Sequence, residues 1–189
     1  MGADQKIMTV PEAYSKLDLL QPQYSDYEND FEKQLFMAIN LIRHDPKIYG
    51  SEAVKLAMYH PLAKKLKKDD LQQYLKKCEK LPIVTFDTDA IQATRKNNEK
   101  IIALNEAVPT KGGNAEAYDA QIGSTKTGNC EEFTMCQYMG DQALELIGLQ
   151  LLMDWNREGE LAKKSPVLNK DVCRVGISNK PHPKTKNLI

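Results

Sequence analysis

Asn40-Leu41-Ile42-Arg43-His44-Asp45-Pro46 sets the architecture to be expected of this chain. Upstream of it, Phe31, Leu35, Ile39 and Ile42 recur at intervals of four and three, with Phe36 beside them. That spacing lays one apolar stripe along a helix that faces a core. Asp26 or Asn29 supplies the start, while Pro46 drives Asp45 out of helical geometry and closes the end. A second helix, from about Pro46 to His60, carries Ile48, Val54, Leu56 and Met58, and Pro61 ends it.

Beyond Pro61 the chain turns basic, with Lys64, Lys65, Lys67 and Lys68 in one cluster. Asp69-Asp70 then opens a short amphipathic helix bearing Leu71, Tyr74, Leu75 and Cys78. Leu81 to Phe86 reads as an extended run, and Asp87 or Thr88 caps a helix carrying Ile91, Thr94, Ile101, Ile102 and Leu104. Pro109, Gly112, Gly113, Gly123 and Gly128 mark a long loop over 107–129. A loop of that length is functional or held by a partner. Glu131 to Met135 predicts a short strand. Asp141 caps a last helix with Leu144, Ile147, Leu151 and Trp155 on one face, and Val172 to Ser178 alternates like a strand. Asn187-Leu188-Ile189 predicts one more.

Residues 1–27 differ in kind. Pro11, Pro22, Tyr14, Tyr24 and Tyr27 accompany Leu17, Leu19 and Leu20 without a sustained period, too little to make a core alone. They read as an extended arm, either mobile or ordered against a partner or the domain; its tyrosines and leucines favour the ordered readings. Residues 28–189 then form one α+β domain.

Composition narrows the function classes. The 41% hydrophobic and 28% charged fractions are those of an ordinary globular domain. Lys+Arg and Asp+Glu both count 26, so no global field points to nucleic acid or an anionic membrane. No apolar run approaches the roughly 20 residues that cross a bilayer. The first residues lack the apolar core of a secretion signal, which predicts an intracellular protein. Cys78, Cys130, Cys136 and Cys173 form no CxxC pair, and no histidine stands at zinc-finger spacing, so reduced thiols are expected. Phosphate-binding glycine loops are absent.

The order of elements resembles the α-β-α sandwich of the CAP superfamily, also called SCP-like domains. Asn40, Leu41, Ile42, Arg43 and Pro46 match the family's first landmark. Phe86 and Ala93 match its next one loosely, and Cys130-Glu131-Glu132 keeps only the central acid of its Gly-Glu-Asn box. Leu151 to Asp154, the loop from Asn156 to Asn169, and Val175-Gly176 follow in order. The resemblance spans about residues 30–189 and implies a helix-rich sandwich around a small mixed or antiparallel sheet. It also implies a last strand that is shortened or cut off at Ile189.

Two departures shape the functional expectation. The family's cavity is lined by paired histidines and acids that hold a divalent metal. Here the only histidines are His44, His60 and His182, and Lys163-Lys164 occupies the place of one. An ammonium has no lone pair to offer a metal or a proton. The expectation is therefore a non-catalytic module without a cofactor, part of a larger assembly such as a cytoskeletal or ciliary one. Lys64, Lys65, Lys67 and Lys68 would dock an acidic surface such as a microtubule, unless they are only a solvated face. Tyr14, Tyr24, Tyr27 and Glu131 complete the candidate binding residues. Two alternatives stand: a lipid- or sterol-binding module with a groove beside Leu144, Ile147 and Leu151, and a hydrolase built around Glu131.

Overall fold

A computed structural model describes residues 9–22, 27–105, 142–157 and 165–184, together with the backbone of 187–188. Tyr24, Asp26, the 107–129 loop, the strand expected at Glu131–Met135, Cys130, Cys136 and Asp141 lie outside these residues.

The arm is not extended where it is described. Thr9 and Glu12 form a capping box, the Glu12 amide donating to Thr9 Oγ1 (3.4 Å) and the Thr9 amide to Glu12 Oε2 (2.9 Å). With Pro11 in the first turn, this starts helix α1 at Val10–Ser15. The helix is short, and docking stabilises it: Ala13 and Tyr14 are buried, and the Tyr14 hydroxyl donates to the Leu20 carbonyl at 2.8 Å.

Helix α2, Asp30–His44, opens on Asn29, whose Oδ1 accepts from the Glu32 amide at 3.0 Å. Of the two predicted caps, Asn29 does the work. Glu32 is fully buried, its carboxylate accepting from the amides of Glu28 (2.8 Å) and Asn179 (2.7 Å). One π-helical turn at Pro46–Gly50 leads into α3, Ser51–Ala57. A 3₁₀ turn at Pro61–Lys65 precedes α4, Asp69–Lys77. Strand β1, Thr85–Phe86, runs into α5, Thr88–Leu104, capped by Asp87. Then come α6, Ala143–Trp155, and strands β2 (Arg174–Val175), β3 (Lys180–Pro181) and β4 (Asn187–Leu188).

The described fold is helix-rich and mixed α+β, with two minimal sheets. β1 pairs in parallel with β2, Thr85 opposite Arg174 and Phe86 opposite Val175. β3 pairs antiparallel with β4. The predicted strand over Val172–Ser178 is therefore only two residues long.

Helix α6 corrects a second expectation. Its buried residues run round the whole helix, from Ala143 and Leu144 through Gly148 and Leu149 to Leu152 and Asp154. Such a helix is central, not a one-faced cover. Its main neighbour is α3, and Gly148 explains the closeness: a Cβ there would lie 2.0 Å from the Ala53 carbonyl oxygen. Leu144, Ile147 and Leu151, expected beside a groove, are buried in this core.

Two side chains of α2 organise the rest. Asn40 is fully buried and reads Val84 as a strand would, its Nδ2 donating to the Val84 carbonyl (3.1 Å) and its Oδ1 accepting from the amide (2.8 Å). Arg43, also fully buried, donates to four carbonyls: Pro82 (2.6 Å), Val167 (2.9 Å), Asn169 (2.9 Å) and Val172 (2.8 Å). Burial pulls its pKa below the usual arginine value, the direction in which desolvation acts on a cation. Together they fasten the approach to β1 and the approach to β2 onto one helix. Across β2, Val175 and Ile177 pack toward the core, whereas Gly176 meets α5, where a Cβ would lie 2.3 Å from the Ala90 carbonyl carbon.

Candidate functional site

The lysine cluster is built by a loop with a buried floor. Pro61 pre-sets the first turn, His60 Nδ1 accepts from the Leu62 amide at 3.3 Å, and Ala63 is fully buried beneath. The turn stops at Leu66, whose backbone is extended. Asp69 and Asp70 then occupy the first turn of α4, where carboxylates suit the positive helix end. Lys64, Lys65, Lys67 and Lys68 are all exposed. Among the described residues, no acid holds any of the four ammonium groups.

Asn156 fixes where this loop sits. Its Oδ1 accepts from the Lys67 amide at 2.9 Å, and its Nδ2 donates to the Lys67 carbonyl at 2.9 Å and to the Leu152 carbonyl at 2.8 Å. The loop is thereby tied to the C-terminal end of α6. Next to Asn156, the Trp155 ring packs on Tyr74 with centroids 5.0 Å apart. Leu71 and Leu75 of α4 are fully buried, but Tyr74 keeps 43% of its surface in solvent. Tyr59 (81%), just before the turn, and Leu62 (51%), within it, are exposed. Burial pushes both the Tyr74 hydroxyl and the Cys78 thiol above their ordinary pKa values, so neither is primed as an anion.

Charge is concentrated here by the sequence itself. Between residues 61 and 80 seven lysines face three acids, in a chain whose total charge is zero. The overall balance conceals this local excess.

The remaining candidates fall elsewhere. Tyr14 is buried in this chain's own core, so its ring has no surface to give a partner. Tyr27 is half-buried, with its ring centroid 6.0 Å from Phe36 and 5.2 Å from Phe86. Tyr24 and Glu131 lie outside the described residues. Asp154 is buried, with Arg157 at 3.6 Å. His182 is buried, its Nδ1 accepting from the Lys184 amide at 3.2 Å. Among the described residues, no three His, Cys, Asp or Glu side chains converge as a metal site, and Cys78 and Cys173 are free thiols. No described helix is long and apolar enough to cross a membrane. A pocket of about 290 Å³ opens beside Tyr27, Glu28, Asn29, Asp30 and Lys33, away from the lysine loop in sequence.

Sequence reasoning found the lysines but missed Asn156 and the Tyr74–Trp155 pair. Tyr74 shares helical spacing with Leu71 and Leu75, and Trp155 with Leu151, so both read as core. The Asn156–Lys67 bonds join positions 89 apart, and no local pattern announces them.

No protein-family model, curated protein or solved structure matches this chain.

Proposed function

We propose that this chain is a non-catalytic, intracellular CAP-like interaction module that docks through its lysine loop onto an acidic protein surface within a larger assembly. The observation that carries this reading is the loop itself: four exposed lysines, their ammonium groups unpaired among the described residues, on a loop whose backbone Asn156 fastens at Lys67. An acidic filament, with the microtubule of a cytoskeletal or ciliary assembly as the example, is a partner of matching charge.

The CAP-like part of the reading rests on packing. Asn40 and Arg43, landmarks of the resemblance, tie strand approaches to α2, and Gly176 sets α5 against the other side of β2. That layering of helix, strand and helix is what the resemblance implies.

Co-sedimentation with assembled microtubules tests the docking, using the native chain and a variant with Lys64, Lys65, Lys67 and Lys68 all changed to Glu. The native chain pellets with the filament and the variant stays in the supernatant. Equal pelleting of both removes the lysine loop from the function. Failure of the native chain to pellet removes this filament as its partner.

A further inference from the structure

Resting on that docking reading, we infer that the lysine loop and the adjoining ring pair form one composite site for an extended acidic segment of a partner protein, carrying an aromatic or bulky apolar side chain. The two halves are joined by geometry. Asn156 holds Lys67 through both its backbone groups, and Trp155, the next residue back, lies 5.0 Å from Tyr74. A ligand on the lysines is therefore one short step from the rings.

The chemistry selects the occupant. Lysines are hydrated point charges on flexible stems, suited to carboxylates spread along a chain rather than to one planar fork. Four of them fall within five successive positions, so a short run of acids can meet them in register. Asp69 and Asp70 stand immediately beyond Lys68 and interrupt the basic stretch before Lys76, Lys77 and Lys80. A polyanion of uniform charge density, such as a nucleic-acid backbone with one charge per roughly 1.7 Å of duplex, runs on into those carboxylates and is repelled. A bilayer surface covers them in the same way. A polypeptide can end its acidic run there and place a neutral side chain against the rings. Tyr74 stands four residues after Asp70 on the same helix face, beside this break in the lysines.

Trp155 is the only tryptophan in the chain, which makes the site report on itself. The probe is a Glu-rich peptide of about ten residues, roughly 33 Å when extended, with one Phe near an end. Titrated into the full chain, it produces a saturable change in Trp155 emission. Raising salt from 0.05 to 0.5 M weakens binding as the screening length shrinks from about 14 to about 4 Å. Changing the four lysines to Gln lowers affinity at least about tenfold, and Asn156→Ala lowers it less. Tyr74→Ala erases the preference for the Phe-bearing peptide over an all-Glu one while leaving the lysine-dependent part. Circular dichroism of each variant shows that the fold is retained.

No saturable change, or equal affinity in the Gln variant, overturns the inference. So does binding confined to a single-stranded oligonucleotide or to phosphatidylserine vesicles. The two readings fail separately. If microtubule pelleting depends on the lysines while the peptide does not bind, docking stands and the extended acidic segment is wrong. If pelleting survives loss of the lysines, the docking reading falls as well.

Discussion

Two sets of cations in this molecule are used in opposite ways. At the end of α2, Arg43 is sealed from solvent and spends its donors on four backbone carbonyls. On the 3₁₀ turn and the link from it to α4, Lys64, Lys65, Lys67 and Lys68 stand in water, with no described acid against them. Buried, a planar guanidinium with several fixed donors organises a fold because each donor finds a carbonyl that would otherwise be orphaned. Exposed, a flexible ammonium contributes little to stability and remains available to a partner. In both places the backbone is held by a side-chain amide, Asn40 at Val84 and Asn156 at Lys67. The same device closes a frame in one region and presents a surface in the other.

The comparison is broken most severely at Arg43. Arg43→Met keeps most of the side-chain volume but strands the buried Val167 carbonyl and three part-buried ones, those of Pro82, Asn169 and Val172, at up to about 1–3 kcal/mol each before relaxation. A loss of at least about 4 kcal/mol follows, close to the whole stability of many domains, and Arg43→Lys does not restore it. Urea denaturation measures both. Gly148→Ala comes next. Its Cβ meets the Ala53 carbonyl, and backbone cannot step aside as a side chain can, so about 3 kcal/mol is expected by the same assay.

Asn40→Ala removes two bonds to Val84 and should cost about 2 kcal/mol, with faster hydrogen exchange at the Val84 amide. Tyr14 sharpens the contrast through pH. Burial raises its folded-state pKa above the ordinary 10.0. The stability it lends is therefore complete below pH 10 and is lost as pH rises through the folded value. Tyr14→Phe should flatten the alkaline part of the stability profile. The smallest effect belongs to the lysines: changing all four to Gln should move stability by no more than about 0.5 kcal/mol. A large loss there would place them in the frame.

Much of the frame was legible because its signals are local. Asn29, Asp87 and Pro46 bound helices by chemistry confined to a turn, and the spacing of Phe31, Leu35 and Ile42 shows which side of α2 is apolar. The helix in the arm is equally local, in Thr9-Val10-Pro11-Glu12, but no sustained apolar period runs through the segment, and the arm therefore reads as extended. The one-faced reading of α6 failed for another reason. Leu144, Ile147 and Leu151 do make a stripe, yet Leu146, Gly148, Leu149 and Leu152 fill the other faces. The lysine cluster was plain to see, whereas what positions it was not. The contacts of Asn156, Arg43 and Gly176 all span long stretches of sequence, and only the packed chain brings them together.

The all-round burial of α6 has a consequence for synthesis. A helix apolar on every side is adhesive until it is enclosed, and exposed segments of this kind drive aggregation in half-made chains. Here α2 and α3, which enclose it, leave the ribosome first. By the time Ala143 emerges, its berth can already be assembled, with the Ala53 backbone waiting opposite the gap at Gly148. Reversing that order by circular permutation would send the stickiest segment out alone.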